Sequence, residues 1–207
     1  MFNKKTNHPK GSKKLIGAWA LYDWANSVYS LVISSAIFPI YYSQYVFSQS
    51  NSVEILNMNI NKDTLISSVS GFSFLLIAFL SPLLSGIADF IGNKKVFMKF
   101  FVYLGSLSCI GLYWFELDTI EISLIFYTLG LIGFWGSLVY YNSYLTDITY
   151  PNQTNKVSAK GYTMGYIGSV ILLLINLVMI NFYEFFGFSS EIAAMKSSFA
   201  IVGIWWL

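Results

Sequence analysis

Residues 64–95 read TLISSVSGFSFLLIAFLSPLLSGIADFIGNKK, and this stretch decides the class of fold. Between Asp63 and Asp89 no side chain is charged. A run of that length exceeds the roughly 20 apolar residues that a helix needs to cross a bilayer core. Polarity returns only over Asp89 to Lys95, and a second apolar run begins at Val96. Two spans joined by so short a link must be antiparallel neighbours.

Working outward, similar runs occupy 15–47, 64–88, 96–115, 119–146, 162–186 and 197–207. The first is long for one span, so it is tilted or begins in the interface. Of the 207 residues, 56% are hydrophobic, 19% aromatic and only 11% charged. Soluble domains carry roughly 25% charged residues, so 12 basic and 10 acidic side chains are too few to clothe a globular surface. This excludes a soluble enzyme, a nucleic-acid binder and a disordered chain. The sequence predicts an all-α membrane protein: a lysine-rich tail over 1–14, then a six-helix bundle over 15–207. The last run breaks off at Trp205-Trp206-Leu207, well short of a span, so a truncated sixth helix and a longer parent chain are expected.

The tail resembles the charged start of a signal peptide, but the run behind it contains Asp23 and Asn26. It also continues past Pro39 without a small-residue cleavage pattern, so it reads as a retained span. Every basic residue is a lysine. With the N-terminus inside, the inner segments hold Lys4, Lys5, Lys10, Lys13, Lys14, Lys94, Lys95, Lys99, Lys156 and Lys160, and the outer ones only Lys62 and Lys196. The positive-inside rule then predicts a multi-pass protein of the cell membrane with a cytoplasmic N-terminus. The outer link over 48–63 is rich in Ser and Asn and reads as a mobile connection. His8 is a solvated tail residue and Cys109 has no partner for a disulfide, so neither a metal nor a cofactor is expected.

Asp23 is the only acid well inside a span. A carboxylate near mid-span costs about 3 kcal/mol, so it faces a cavity or a partner, or else snorkels to the inner interface. Asp23, Asn26, Ser27, Ser30 and Ser34 recur at helical spacing and form one polar stripe. The fourth span offers Ser123, Tyr127, Gly130, Phe134, Ser137, Tyr141 and Tyr144, with Asn142 beside them; the fifth offers Tyr162, Tyr166, Ser169 and Asn176. Together these would line an aromatic, wet cleft for a small polar solute. Asp23, Asn26, Ser30, Tyr141, Asn142 and Tyr166 are its expected substrate contacts. Small residues and tyrosines also serve helix packing and interface belts, and the glycines at 130, 133, 136, 161, 165 and 168 read first as close-approach positions.

The segment Gly86-Ile87-Ala88-Asp89-Phe90-Ile91-Gly92-Asn93-Lys94-Lys95 resembles the loop signature of the major facilitator superfamily. Gly86, Ala88, Asp89, Gly92, Lys94 and Lys95 match, while Phe90 and Asn93 stand where the signature carries basic residues. Asp89 sits at a helix end that disfavours an anion, which implies that it is paired or caps another helix. Leu21-Tyr22-Asp23-Trp24-Ala25-Asn26-Ser27, Tyr141–Asp147 and Ser158–Gly168 are similar to the branch of the autophagy-related vacuolar amino-acid effluxer and its bacterial relatives. The resemblance implies the N-terminal half of a secondary active transporter. Such a protein moves a small polar solute, amino acids among the candidates, by alternating access against a C-terminal bundle. The partners expected are that bundle, the solute and the lipid bilayer. A non-transporting membrane scaffold or an inactive transporter fragment is the alternative. An intramembrane enzyme lacks its parts: there is one deep acid, no deep histidine and one isolated cysteine.

Overall fold

The computed structural model describes residues 9–55 and 57–207, with the Asp89 side chain also outside the described residues. The tail residues Lys4, Lys5 and His8 therefore fall outside it. Helix α1 (Lys13–Val28) starts at Ser12, whose Oγ accepts the Leu15 amide at 3.3 Å. The helical path continues as a π-helical stretch, Tyr29–Ala36, then α2 (Ile37–Ile40) and a second π stretch, Tyr41–Val46. The widening has a local cause. Pro39 cannot donate to the Ser35 carbonyl and its ring crowds it, so the ladder ahead relaxes to five-residue spacing: the Ile37 amide donates to Val32. The Ser35 hydroxyl also reaches back five residues, to the Ser30 carbonyl at 2.9 Å.

The link expected to be mobile is an antiparallel hairpin instead. Strand β1 (Ser52–Ile55) pairs with β2 (Met58–Asn61), with Val53 opposite Ile60. Asn57 takes a left-handed φ of 61° in the turn, a conformation Asn tolerates. Val53, Ile55 and Ile60 pack on the main core, and the Tyr42 hydroxyl donates to the Lys62 carbonyl at 2.7 Å. The alternation of apolar residues around Asn57 was the available signal.

Among the described residues, four helices are long and apolar enough to cross a membrane: α3 (Lys62–Ile91), α4 (Lys94–Gly111, extended by a 3₁₀ turn to Trp114), α5 (Ile120–Ile148) and α6 (Thr154–Asn181). The shorter α7 (Glu191–Trp206) is capped by Ser190. Helix and apolar run do not coincide at their ends. The polar stretch Thr154–Gly161 already belongs to α6, because hydropathy marks the bilayer rather than the hydrogen-bond ladder. Conversely, Phe182–Gly187, apolar but for Glu184, is turned and closed by Gly187 at φ 80°.

Helix α4 packs chiefly on α5 and α7, α1 on α6, and α3 on α5 more than on its sequence neighbour α4. Between lipid-immersed helices the apolar environment is similar inside and out, so close van der Waals fit matters most. Glycines provide it. A Cβ on Gly133 would enter the backbone of Gly105, and one on Gly203 would strike the Ser106 carbonyl. The largest core cluster lies between the first helical stretch, α4, α5 and α7, around Phe38. Its ring stacks on Tyr127 at 4.8 Å and meets Phe115 edge-on at 5.2 Å. Helix α3 is peripheral, leaving Phe72, Leu75, Phe79 and Phe90 exposed.

Candidate functional site

Helix α1 presents Asp23 ten residues beyond its first residue, about 15 Å along the axis. The residue is 7% exposed. Its Oδ1 accepts the Ser27 hydroxyl at 3.2 Å, a bond that the four-residue spacing within one helix provides. No lysine lies within ion-pair distance of it among the described residues. Helix α6 approaches from the side through Gly165, whose added Cβ would collide with Ser27 Oγ and lie 3.2 Å from the Asp23 carboxylate. Any larger residue would displace the Ser27 hydroxyl from the acid or push the helices apart.

A cavity of about 410 Å³ opens at this point, walled by α1 with its π-helical continuation, α5 and α6. All six expected contacts line it: Asp23, Asn26 and Ser30 from the first wall, Tyr141 and Asn142 from α5, and Tyr166 from α6. Among the described residues no lining side chain is basic, and Asp23 is the one acid. Tyr141 stacks on Trp19 with ring centroids 4.3 Å apart, and the Trp19 indole donates to the Tyr141 carbonyl at 2.9 Å. Asn26 is nearly fully buried. Its Oδ1 accepts long bonds from Tyr22, at 3.4 Å, and from Ser137 of α5, at 3.5 Å, while Nδ2 has no partner among the described residues.

Other expected members are elsewhere. Ser34 does not line the cavity and Ser35 does, because the π-helical stretch advances the face by one residue between Ser30 and the next turn. The upper part of the α5 stripe is core: Ser123, Tyr127 and Gly130 are buried, and Tyr29 packs over Gly130. Asn176 is fully buried away from the cavity. Trp19 and Ser158 were missed, although each continues a recognised face by one turn, four residues before Asp23 and Tyr162.

At the turn between α3 and α4, Gly92 takes φ 69°, and the amides of Gly92 and Asn93 both donate to the Ala88 carbonyl, at 3.0 and 3.3 Å. The link is thus shorter than expected: Asp89 belongs to the last turn of α3, and Lys94 and Lys95 open α4. The Lys94 ammonium pairs with Asp147 of α5 at 2.9 Å. The pairing expected of Asp89 lies outside the described residues. Gly86 has open space where a Cβ would stand.

The family model described as vacuole effluxer Atg22 like matches residues 11–207. The chain belongs to this family. The resemblance carried by the 86–95 segment and by the stretches around Asp23 and Tyr141 is thereby borne out. A relative of this Atg22-like chain in Bacillus subtilis (strain 168), described as the uncharacterized MFS-type transporter YxiO, is 37% identical over 194 residues, which are 91% of the chain and 43% of the relative. An uncharacterized protein of Aquifex aeolicus (strain VF5) is 30% identical over 161 residues, 76% of the chain and 36% of the relative. The Atg22-like chain spans less than half the length of these curated relatives. No solved structure matches it.

Proposed function

We propose that the chain forms one half of a secondary active transporter of the cell membrane, moving a small polar solute by alternating access. In this reading six helical stretches cross the bilayer with the N-terminus inside, and the remaining length of the relatives supplies a second bundle. Family membership supports transport, and the ten-to-two distribution of lysines supports the orientation. The observation that carries the site is the Asp23 carboxylate in an open cavity with no basic lining residue among those described. Low surroundings of positive charge make an ionised carboxylate costly, so a solute ammonium, a proton or a cation from the second bundle must offset it. An amino-acid-like solute fits: its ammonium meets Asp23, and the hydroxyls and amide of Ser30, Tyr141, Asn142 and Tyr166 are within the same cavity for its polar groups.

The test is uptake of labelled amino acids into vesicles carrying a complete transporter that contains this chain. Asp23→Asn should lower uptake of a cationic or zwitterionic solute by about one to two orders of magnitude, the scale of one lost charged hydrogen bond, and change its pH dependence. Membrane accumulation should stay normal. Unchanged kinetics would return Asp23 to a snorkelling role, whereas no uptake by the unaltered complete protein would favour the scaffold reading.

A further inference from the structure

The Trp19–Tyr141 stack has a second cavity behind it, of about 570 Å³. Its walls come from the first part of α1 and the residue Lys10 before it, the first turns of α4 and the last two turns of α5. Leu15, Ala18, Met98 and Ile148 make much of the wall apolar, while Lys10 and Lys95 stand at it with exposed side chains. Lys10 Nζ donates to the Thr146 carbonyl at 2.8 Å and has no carboxylate partner among the described residues. Lys95 has neither a hydrogen bond nor an ion pair among the described residues. The lining acid, Asp147, is already held by Lys94. The cavity therefore couples two uncompensated ammonium groups to an apolar interior, at the helix ends where the bundle leaves the bilayer.

We propose that this cavity binds an anionic phospholipid, its headgroup phosphate between Lys10 and Lys95 and its acyl portion against Leu15 and Met98. Basic pockets between helices at the membrane surface suit such headgroups. A soluble phosphate would satisfy the lysines but leave the apolar wall uncovered, whereas an amphiphile covers both. Because Trp19 and Tyr141 border both cavities, a lipid here buttresses the wall of the polar one. The assignment does not depend on what the first cavity takes.

The complete transporter that contains this chain, reconstituted in nanodiscs of mixed phosphatidylcholine and phosphatidylglycerol and released for native mass spectrometry, should retain phosphatidylglycerol in preference. The double variant Lys10→Gln/Lys95→Gln should lower that retention about thirtyfold, from the usual worth of two surface lysines near anionic lipid. Lys156→Gln, exposed on α6, should leave it unchanged, and Lys10→Arg/Lys95→Arg should preserve it. Met98→Trp, which fills the cavity and keeps both lysines, should also lower it. Equal retention of the two lipids, or undiminished retention in the double variant, would overturn the proposal. Displacement of the lipid by excess inorganic phosphate would overturn it too, by making the occupant a soluble phosphate compound.

Discussion

At Gly165 and Gly86 two glycines of similar appearance in the sequence have opposite physical reasons. A side chain at Gly165 has nowhere to go, since Ser27 and the Asp23 carboxylate occupy the space. Gly165→Val should therefore cost about 1–3 kcal/mol by overpacking, visible as a lower thermal midpoint. Gly86 faces open space within its helix. Gly86→Ala should be neutral or raise stability by up to about 1 kcal/mol through helix propensity. Equal effects of the two substitutions would mean that α6 does not seat on α1 through Gly165. Spacing alone marks all these glycines as small; only their neighbours separate a seam from an open face.

The π-helical stretch shows what an element contributes beyond its residues. A uniform α-helix would put Ser34 on the face of Asp23 and Ser30, whereas five-residue bonding puts Ser35 there. Cysteine substitution reads the difference directly, because the native Cys109 is fully buried and silent. A water-soluble thiol reagent should modify Ser35→Cys rapidly from the cavity and Ser34→Cys at least several-fold more slowly. The reverse order would restore the regular register. Pro39 is visible in the sequence, but whether a helix answers a proline by kinking, breaking or widening depends on what packs around it. Here Phe38 and Ile37 are buried against their neighbours, which keeps the path continuous.

For the whole molecule, α3 sets the scale. Its 30 residues span about 45 Å, enough to put the hairpin before it and the Gly92 turn after it on opposite sides of a bilayer. With the N-terminus inside, an impermeant reagent applied to intact cells should label Met58→Cys and spare Asn93→Cys. Labelling of Asn93→Cys from outside would invert the orientation. The exposed apolar side chains of α3 are compatible with burial in lipid or against another bundle, since both are apolar surroundings.

Membrane class and the positions of the long helices follow from sequence, because crossing a hydrocarbon core demands uninterrupted apolar length whatever the neighbours are. So does Asp23 as a point of interest, since an acid in such a run is costly anywhere. Family membership was legible in the Gly86–Lys95 segment for a different reason: its glycines and charges stand in a fixed order. The hairpin, hidden among Ser and Asn, was less legible because its strands gain stability only by docking Val53, Ile55 and Ile60 on the core. What the tertiary structure alone decided is which polar residues share a space. Ser123 and Asn176 read from sequence like Tyr141 and Asn142, yet the former pair is buried outside the cavity and the latter lines it. Helical periodicity assigns a residue to a face, but the contacts of α1 with α6 and of α4 with α5 determine whether that face meets another helix or an opening.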